Sequence, residues 1–379
     1  MRQIKSREDN LSKIKWLSTL LVALAVMVPG LSGSRAVAGP KVVKVFNWSD
    51  YIDESILKDF TKETGIKVVY DVFDSNEVLE TKLLAGKTGY DVVVPSGSFL
   101  ARQIKAGVFR KLDKSKLPNL KNMWDLIAKR VEAYDPGNKY SINYMWGTTG
   151  FGYNVKKIKE IMPNAPVDSW DMILKPEVIS KFKDCGVHFL DAPTELIPAA
   201  LNYMGKNPDS HDKADIEAAG KLLEKVRPYV QKFHSSEYIN ALANGDICLA
   251  VGWSGDVLQA RDRASEAKNG VEIAYTIPKE GALMWFDEMA IPADAPSPDL
   301  AHTFLNYIMR PDVIAKATNY VNYANGNKAS MAMVDKGVLA DTAVYPDKAT
   351  IARLYVTTPY PPKIQRIATR AWTRVKSGQ

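Results

Sequence analysis

Between residues 42 and 108 the chain alternates β-branched runs with segments of helical periodicity, and this alternation constrains the fold more than any other feature. Val42 to Asn47 is a β-branched run. Ile56, Leu57 and Phe60 then recur at helical spacing, and Gly65 closes that segment. Ile66 to Val72 reads as a second strand. Asp74, with Glu77 three residues on, has the spacing of a capping box; it opens a helix that turns Val78, Leu79 and Leu83 inward. Asp91 to Pro95 is a third strand, and Phe99, Ile104 and Val108 mark a further helix and its exit. Strands alternating with helices predict an α/β layer structure with mostly parallel pairing. Ligands of such sheets bind beyond the carboxyl ends of the strands. Trp48-Ser49-Asp50-Tyr51 and Ser96-Gly97-Ser98 fall there.

The pattern changes near Tyr140 to Asn154, where Gly147, Gly150 and Gly152 punctuate an aromatic-rich stretch. This predicts an extended crossover into a second domain. Helical segments follow near 213–226 and 236–245, then a buried strand from Ile247 to Gly252. Gly270 to Pro278 reads as a return crossover. A chain of 379 residues is long enough for two cores. The expected division is 1–38 as a leader, 39–147 plus about 272–322 as one lobe, and 148–271 plus about 323–379 as the other. Strands bridging two lobes form a hinge, with the ligand between them.

The leader has the form of a secretory signal. Arg2, Lys5, Arg7, Lys13 and Lys15 are a basic n-region, an apolar run follows from Leu17 to Val28, and Ala36-Val37-Ala38 before Gly39 is a small-x-small cleavage site. The apolar run is shorter than the roughly 20 residues of a membrane span. Export with cleavage near Ala38-Gly39 is the expectation. The leader carries six Lys/Arg and two Asp/Glu, so its removal takes the net charge from +7 to +3. There is no basic stripe and no nucleic-acid motif, which argues against a nucleic-acid partner.

Only two cysteines occur, Cys185 and Cys248. In an oxidising compartment they read as one disulfide, with two buried free thiols as the alternative. The histidines at 188, 211, 234 and 302 lack metal-ligand spacing, so neither metal nor cofactor is expected.

Three clusters join an aromatic to a carboxylate: Trp48-Ser49-Asp50-Tyr51, Trp253-Ser254-Gly255-Asp256 and Trp285-Phe286-Asp287. Each follows a plausible strand. Aromatic faces attract cations and bury methylenes, and carboxylates accept ammonium N–H groups. Together they suit a flexible chain with cationic ends. One such cluster alone has the bland reading of core aromatic plus solvated acid; three at strand ends favour a site.

Longer stretches then resemble a known family. Asn47-Trp48-Ser49-Asp50-Tyr51-Ile52, the run Glu63 to Glu77, Asp91-Val92-Val93-Val94-Pro95-Ser96, Leu190-Asp191-Ala192-Pro193, Ala243 to Cys248 and Thr369-Arg370-Ala371-Trp372-Thr373 are similar to the bacterial periplasmic spermidine/putrescine-binding proteins, in order along nearly the whole mature chain. The putrescine-binding branch fits best. The resemblance implies a two-lobed periplasmic binding protein fold (type II), closing over one polyamine, with an inner-membrane ABC permease as partner. It places Trp48, Ser49, Asp50, Tyr51 and Ser96 on one wall of the cleft and Glu195 on the other. Trp253 and Asp256, Trp285 and Asp287, and Tyr323 complete the set. On chemical grounds Asp256 and Asp287 are the ammonium partners, Asp50 and Glu195 act through water or the summed field, and Trp48, Trp253, Trp285 and Tyr323 form an aromatic box. Ser49 and Ser96 accept further N–H bonds. Putrescine-selective members usually carry Phe where this chain has Trp285, whereas Ser98, Phe99 and Ala192 are of putrescine type; agmatine and cadaverine are further candidates.

An enzyme of glycosidase type would also pair carboxylates at a cleft, but no nucleophile–base signature, Gly-x-Ser-x-Gly or triad histidine occurs. A binder of anions or ferric ion would need convergent donors or tyrosine clusters rather than acids beside tryptophans. A sensor role is compatible with uptake.

Overall fold

The computed structural model describes residues 41–378. The leader and its cleavage site lie outside the described residues. No helix among the described residues is long and apolar enough to cross a membrane.

The described strands are β1 (Val42–Trp48), β2 (Lys67–Phe73), β3 (Val92–Val93), β4 (Ser141–Asn154), β5 (Val187–Phe189), β6 (Lys232–Phe233), β7 (Leu249–Trp253), β8 (Ile273–Thr276), β9 (Leu283–Ala290) and β10 (Ala324–Asn325). They join in one sheet in the order β2-β1-β3-β9-β4-β7-β5-β6, with β8 and β10 also on β4. Pairing is parallel only toward the two ends, β1 with β2 and β3, and β5 with β6 and β7. The middle is antiparallel: β4 pairs with β7, β8, β9 and β10, and β3 with β9. The expectation of mostly parallel pairing is thus corrected. β4 and β9 are long connecting strands rather than members of β-α-β units, and nothing obliges them to run parallel.

β4 links three apolar clusters. Ile142, Tyr144 and Met145 join a first core with β1, β3 and the helices Glu54–Thr64, Pro298–Ile308 and Pro311–Val321. Phe151 joins a second core with β5, β7 and the helices Pro193–Tyr203, Lys213–Val226 and Tyr238–Asn244. Trp146 joins a small third cluster with Met284 and Phe286 of β9. The sheet therefore has a packed centre at each end, and two long strands run between them.

Local chemistry explains most helix boundaries. Asp53 caps Glu54–Thr64 by accepting from Ser55 N, and Gly65, at φ 70°, takes the left-handed conformation that ends it. The next helix, Asn76–Ala85, is capped by Ser75, which accepts from Val78 N, and not by Asp74. The helix consequently starts one position later than the Asp74/Glu77 pattern suggests. Leu79 and Leu83 are buried but Val78 is 48% exposed.

Cys185 and Cys248 are bonded, with Cα atoms 5.6 Å apart. Cys248 lies one residue before β7 and is fully buried in the second core.

Candidate functional site

A narrow cavity, with about 30 Å³ of room for water centres and partly continuous with solvent, opens where β1, β3, β7 and β9 end or cross. It is lined by three tryptophans (48, 253 and 285), two tyrosines (51 and 323) and four carboxylates (Asp74, Glu195, Asp256 and Asp287). Ser49, Asn76, Ser96 and Ser235 complete the wall, and no Lys, Arg or His among the described residues lines it. Four acids and no base make a well of negative potential, which repels anions and favours cations.

Three of the four carboxylates are held by hydroxyl donors. Asp287 lies on β9, where an isolated antiparallel bridge brings Ser96 opposite it. Ser96 Oγ donates to Asp287 Oδ1 at 2.6 Å, and Tyr51 OH donates to Oδ2 at 2.8 Å. Asn76 braces Ser96 twice, donating from Nδ2 to Ser96 Oγ and accepting from Ser96 N, both at 3.0 Å. Asp256 sits in the first turn of the helix Ser254–Ala267. Tyr323 OH donates to its Oδ1 at 2.7 Å and Tyr238 OH to its Oδ2 at 2.8 Å. Tyr238 also accepts from Trp253 N, which ties the motif's tryptophan and aspartate to one phenol. Glu195, in the first turn of Pro193–Tyr203, accepts from the Thr149 hydroxyl on β4. Each carboxylate oxygen retains a further lone pair.

The aromatic walls are equally fixed. Trp48 Nε1 donates to Val94 O at 2.9 Å, and its ring meets Trp253 edge to face at 5.6 Å between centroids. Trp285 and Tyr51 each meet Tyr323 at 5.2 Å. Two glycines make this possible. A Cβ at Gly147 would lie 2.6 Å from the Trp285 ring, and one at Gly255 would lie 2.5 Å from the Tyr323 ring. Ser235 Oγ is buried with no protein partner among the described residues, and so is free to accept from a ligand.

Of the residues expected at the site, Trp48, Ser49, Tyr51, Ser96, Glu195, Trp253, Asp256, Trp285, Asp287 and Tyr323 line this cavity. Asp50 does not. It has a left-handed φ of 54°, and its carboxylate pairs with Arg263 at 2.6 Å on the exposed side. Asp74, Asn76 and Ser235 line the cavity and escaped the sequence reading. The cap role that the spacing gives Asp74 belongs to Ser75, and the family-like run Glu63 to Glu77 contains Asp74 and Asn76 without marking either as a site residue.

Burial shifts the acids. Desolvation pushes Asp256 up to about 6, Asp287 up to about 7 and Glu195 up to about 7, against hydrogen bonds that favour their anions. Neighbouring acids add to the rise: Asp50 for Asp256, Asp256 for Asp287, and Asp287 for Glu195. A bound cation favours the ionised forms, so binding releases protons. Affinity is then full above about pH 7 and falls as the pH drops through 7 and 6. Stability of the ligand-free protein runs the other way. Its carboxyls hold protons more tightly than an unfolded chain does, so their contribution to stability is fully present below about pH 4 and is lost as the pH rises from there through about 6 to 7. Calorimetry in buffers of different ionisation heat reads the released protons. An affinity that is constant across this window would show that the acids are already ionised before the ligand arrives.

Comparison with known proteins places this geometry in context. The bacterial extracellular solute-binding protein family matches residues 55–346. The putrescine-binding periplasmic protein SpuD of Pseudomonas aeruginosa is 54% identical over 94% of this chain and 98% of its own length. The putrescine-binding periplasmic protein PotF of Escherichia coli is 55% identical over 96% and 98%. Among solved structures, the spermidine/putrescine ABC transporter substrate-binding protein PotD of Streptococcus pneumoniae superposes with a TM-score of 0.71 at 29% identity, covering 89% of this chain and 99% of that one. The Tp0655 lipoprotein of Treponema pallidum does so with a TM-score of 0.75 at 27% identity, covering 89% and 100%. The expected α/β binding-protein fold is the one these structures share. With the family match spanning most of the sequence and two relatives above 50% identity end to end, the chain belongs to the bacterial extracellular solute-binding protein family.

Proposed function

We propose that this chain is the periplasmic binding component of an ABC transporter for polyamines, which captures putrescine by closure of its cleft and delivers it to an inner-membrane permease. The observation that carries the reading is the cavity itself. Asp256 and Asp287 are each gripped by two hydroxyl donors and face a space walled by three tryptophans, with no base among the described residues lining it. Fixed acids for the ammonium ends and flat rings for the methylenes match a diamine. The names of the two relatives above 50% identity point the same way. Binding without chemistry is favoured because the two carboxylates are immobilised by donors and no nucleophile–base pair lines the wall. Ligand recovered unchanged in mass after incubation supports this; a converted product overturns it.

A small second chamber, with about 20 Å³ of room for water centres, adjoins the first and shares Asn76, Ser96, Glu195 and Trp285 with it. Ser98, Phe99, Tyr134 and Thr357 line its other side. Spermidine, longer by three methylenes and one amine, can extend here only by widening this pocket, where Glu195 stands as a charge for the added amine to meet. We therefore rank spermidine second to putrescine, ahead of cadaverine and agmatine. Calorimetric titration with these four ligands tests the order, and no measurable heat with any of them would remove the function. The Trp285→Phe variant sharpens the test. The indole is the larger and more electron-rich face between the chambers, so its loss weakens the contact available to a secondary ammonium. The ratio of spermidine to putrescine dissociation constants is expected to rise by about three- to tenfold. A fixed ratio, or a shift toward spermidine, would show that Trp285 does not set the choice.

A further inference from the structure

The C-terminal helix Pro362–Ser377 has two faces of opposite character. One buries Ile367, Ala368, Ala371, Trp372 and Val375 against the second core. It lies close against the helix Lys213–Val226, where a Cβ at Gly220 would stand 3.1 Å from that of Ala371. The other face carries Lys363, Arg366, Arg370 and Arg374, all exposed. Spaced three or four residues apart, they form one stripe about 16 Å long, which corrects the expectation that the chain has no basic stripe. With Lys213 and Glu217 they line a shallow groove between the two helices.

Five cations and one carboxylate line this groove. Glu217 is taken by Lys213 at 3.6 Å, and Arg374 by Glu224 at 3.0 Å. Lys363, Arg366 and Arg370 have no ion-pair partner among the described residues. The groove is a local excess of positive charge and shares no residue with the acidic cavity.

We propose that this stripe is a docking surface for the anionic phospholipid headgroups of the membrane at which the cargo is delivered. Charge complementarity selects an anion, and the absence of an anchor selects the kind. A protein partner is held by buried aromatic or aliphatic anchors within a polar rim. The exposed large apolar side chains of this protein, such as Val72, Leu84 and Tyr320, are all outside the groove, and its one aliphatic residue, Ile367, is buried in the core. A straight stripe of cations with no apolar contact fits a flat polyanionic surface, bound by electrostatics alone.

Flotation of the putrescine-loaded protein with vesicles tests the idea. Wild type is expected to float with phosphatidylglycerol-containing vesicles at low salt, to stay behind with pure phosphatidylcholine vesicles, and to detach as salt is raised. In the Lys363→Gln/Arg366→Gln/Arg370→Gln variant the partition coefficient is expected to fall by about 100-fold. Its putrescine affinity should stay at the wild-type value, which separates loss of docking from loss of fold or of ligand binding. A single Arg370→Glu change should lower partitioning in the same direction. Equal flotation with neutral vesicles, or an unaltered partition coefficient in both variants, overturns the proposal. Displacement by an equal concentration of inorganic phosphate would make the groove a phosphate site instead. Retention only on vesicles that carry membrane proteins would assign it to an acidic protein surface.

Discussion

Replacing Asp256 and Asp287 together by asparagine is expected to lower putrescine affinity by about two to four orders of magnitude, because a hydrogen bond to a charged group contributes about 1.5–3 kcal/mol and the ligand loses one at each end. Either single change should cost about tenfold or more. Asparagine keeps the shape and still accepts from Tyr323 or Tyr51 through its carbonyl oxygen, so the ring geometry should hold. Stability distinguishes this account from simple damage. Burial raises both carboxyls, to about 6 and about 7, so at neutral pH the ligand-free fold bears the cost of holding them ionised. The double variant removes that cost, and its ligand-free melting temperature should match or exceed that of wild type at pH 7.5. It should also release fewer protons on binding whatever ligand remains. A variant that melts early and binds weakly would point to a structural role for the pair. Unaltered affinity in both single variants would remove these residues from the site.

What this prediction rests on was largely legible in the sequence. Two of the three Trp-and-acid clusters stand where strands end, since β1 and β7 finish at Trp48 and Trp253, whereas Trp285 and Asp287 lie inside β9 and correct the expectation that each cluster follows a strand. A β-branched run gives way to a polar turn there, so the position of the turn follows from composition alone. Family resemblance added Glu195 and Tyr323, which no local pattern singles out. The orientation of individual side chains was not legible. Asp50 belongs to the same tetrapeptide as Trp48, yet its left-handed backbone turns the carboxylate to Arg263. Asn76 and Ser235 reach the cavity through long-range packing, Asn76 by bracing Ser96 twenty residues on. The same limit applies to the sheet. Residues 140–154 read as extended and form β4, but the partners of β4 come from positions about 100 to 180 residues later, and strand direction follows from them. Periodicity within a window carries no information on such pairings.

Loss of the Cys185–Cys248 bond is expected to reduce stability by up to about 4 kcal/mol while leaving the native site in place. The sequence separation is 63 residues. Cross-linking a loop of that length removes conformational freedom chiefly from the unfolded chain. The loop carries the helices Pro193–Tyr203 and Lys213–Val226, and with them Glu195 and Ser235 of the cavity wall. Its ends are already fixed in the native state by other means. Cys248 N donates to Gly186 O at 3.1 Å, and Val187 pairs with Leu249 across the β5–β7 ladder. The bond is therefore redundant for native geometry and consequential for the unfolded ensemble. The Cys185→Ala/Cys248→Ala variant should bind putrescine with wild-type affinity in native buffer and lose binding and fold together at a lower urea concentration. Reduction of the wild type should reproduce that shift. Unreduced, denatured wild type should yield no thiol to a labelling reagent, and two reactive thiols would refute the bond. A variant equally resistant to urea would show that the unfolded chain gains nothing from its release. One that loses affinity in native buffer would show that the disulfide, and not the β5–β7 ladder, holds Glu195 at the cavity.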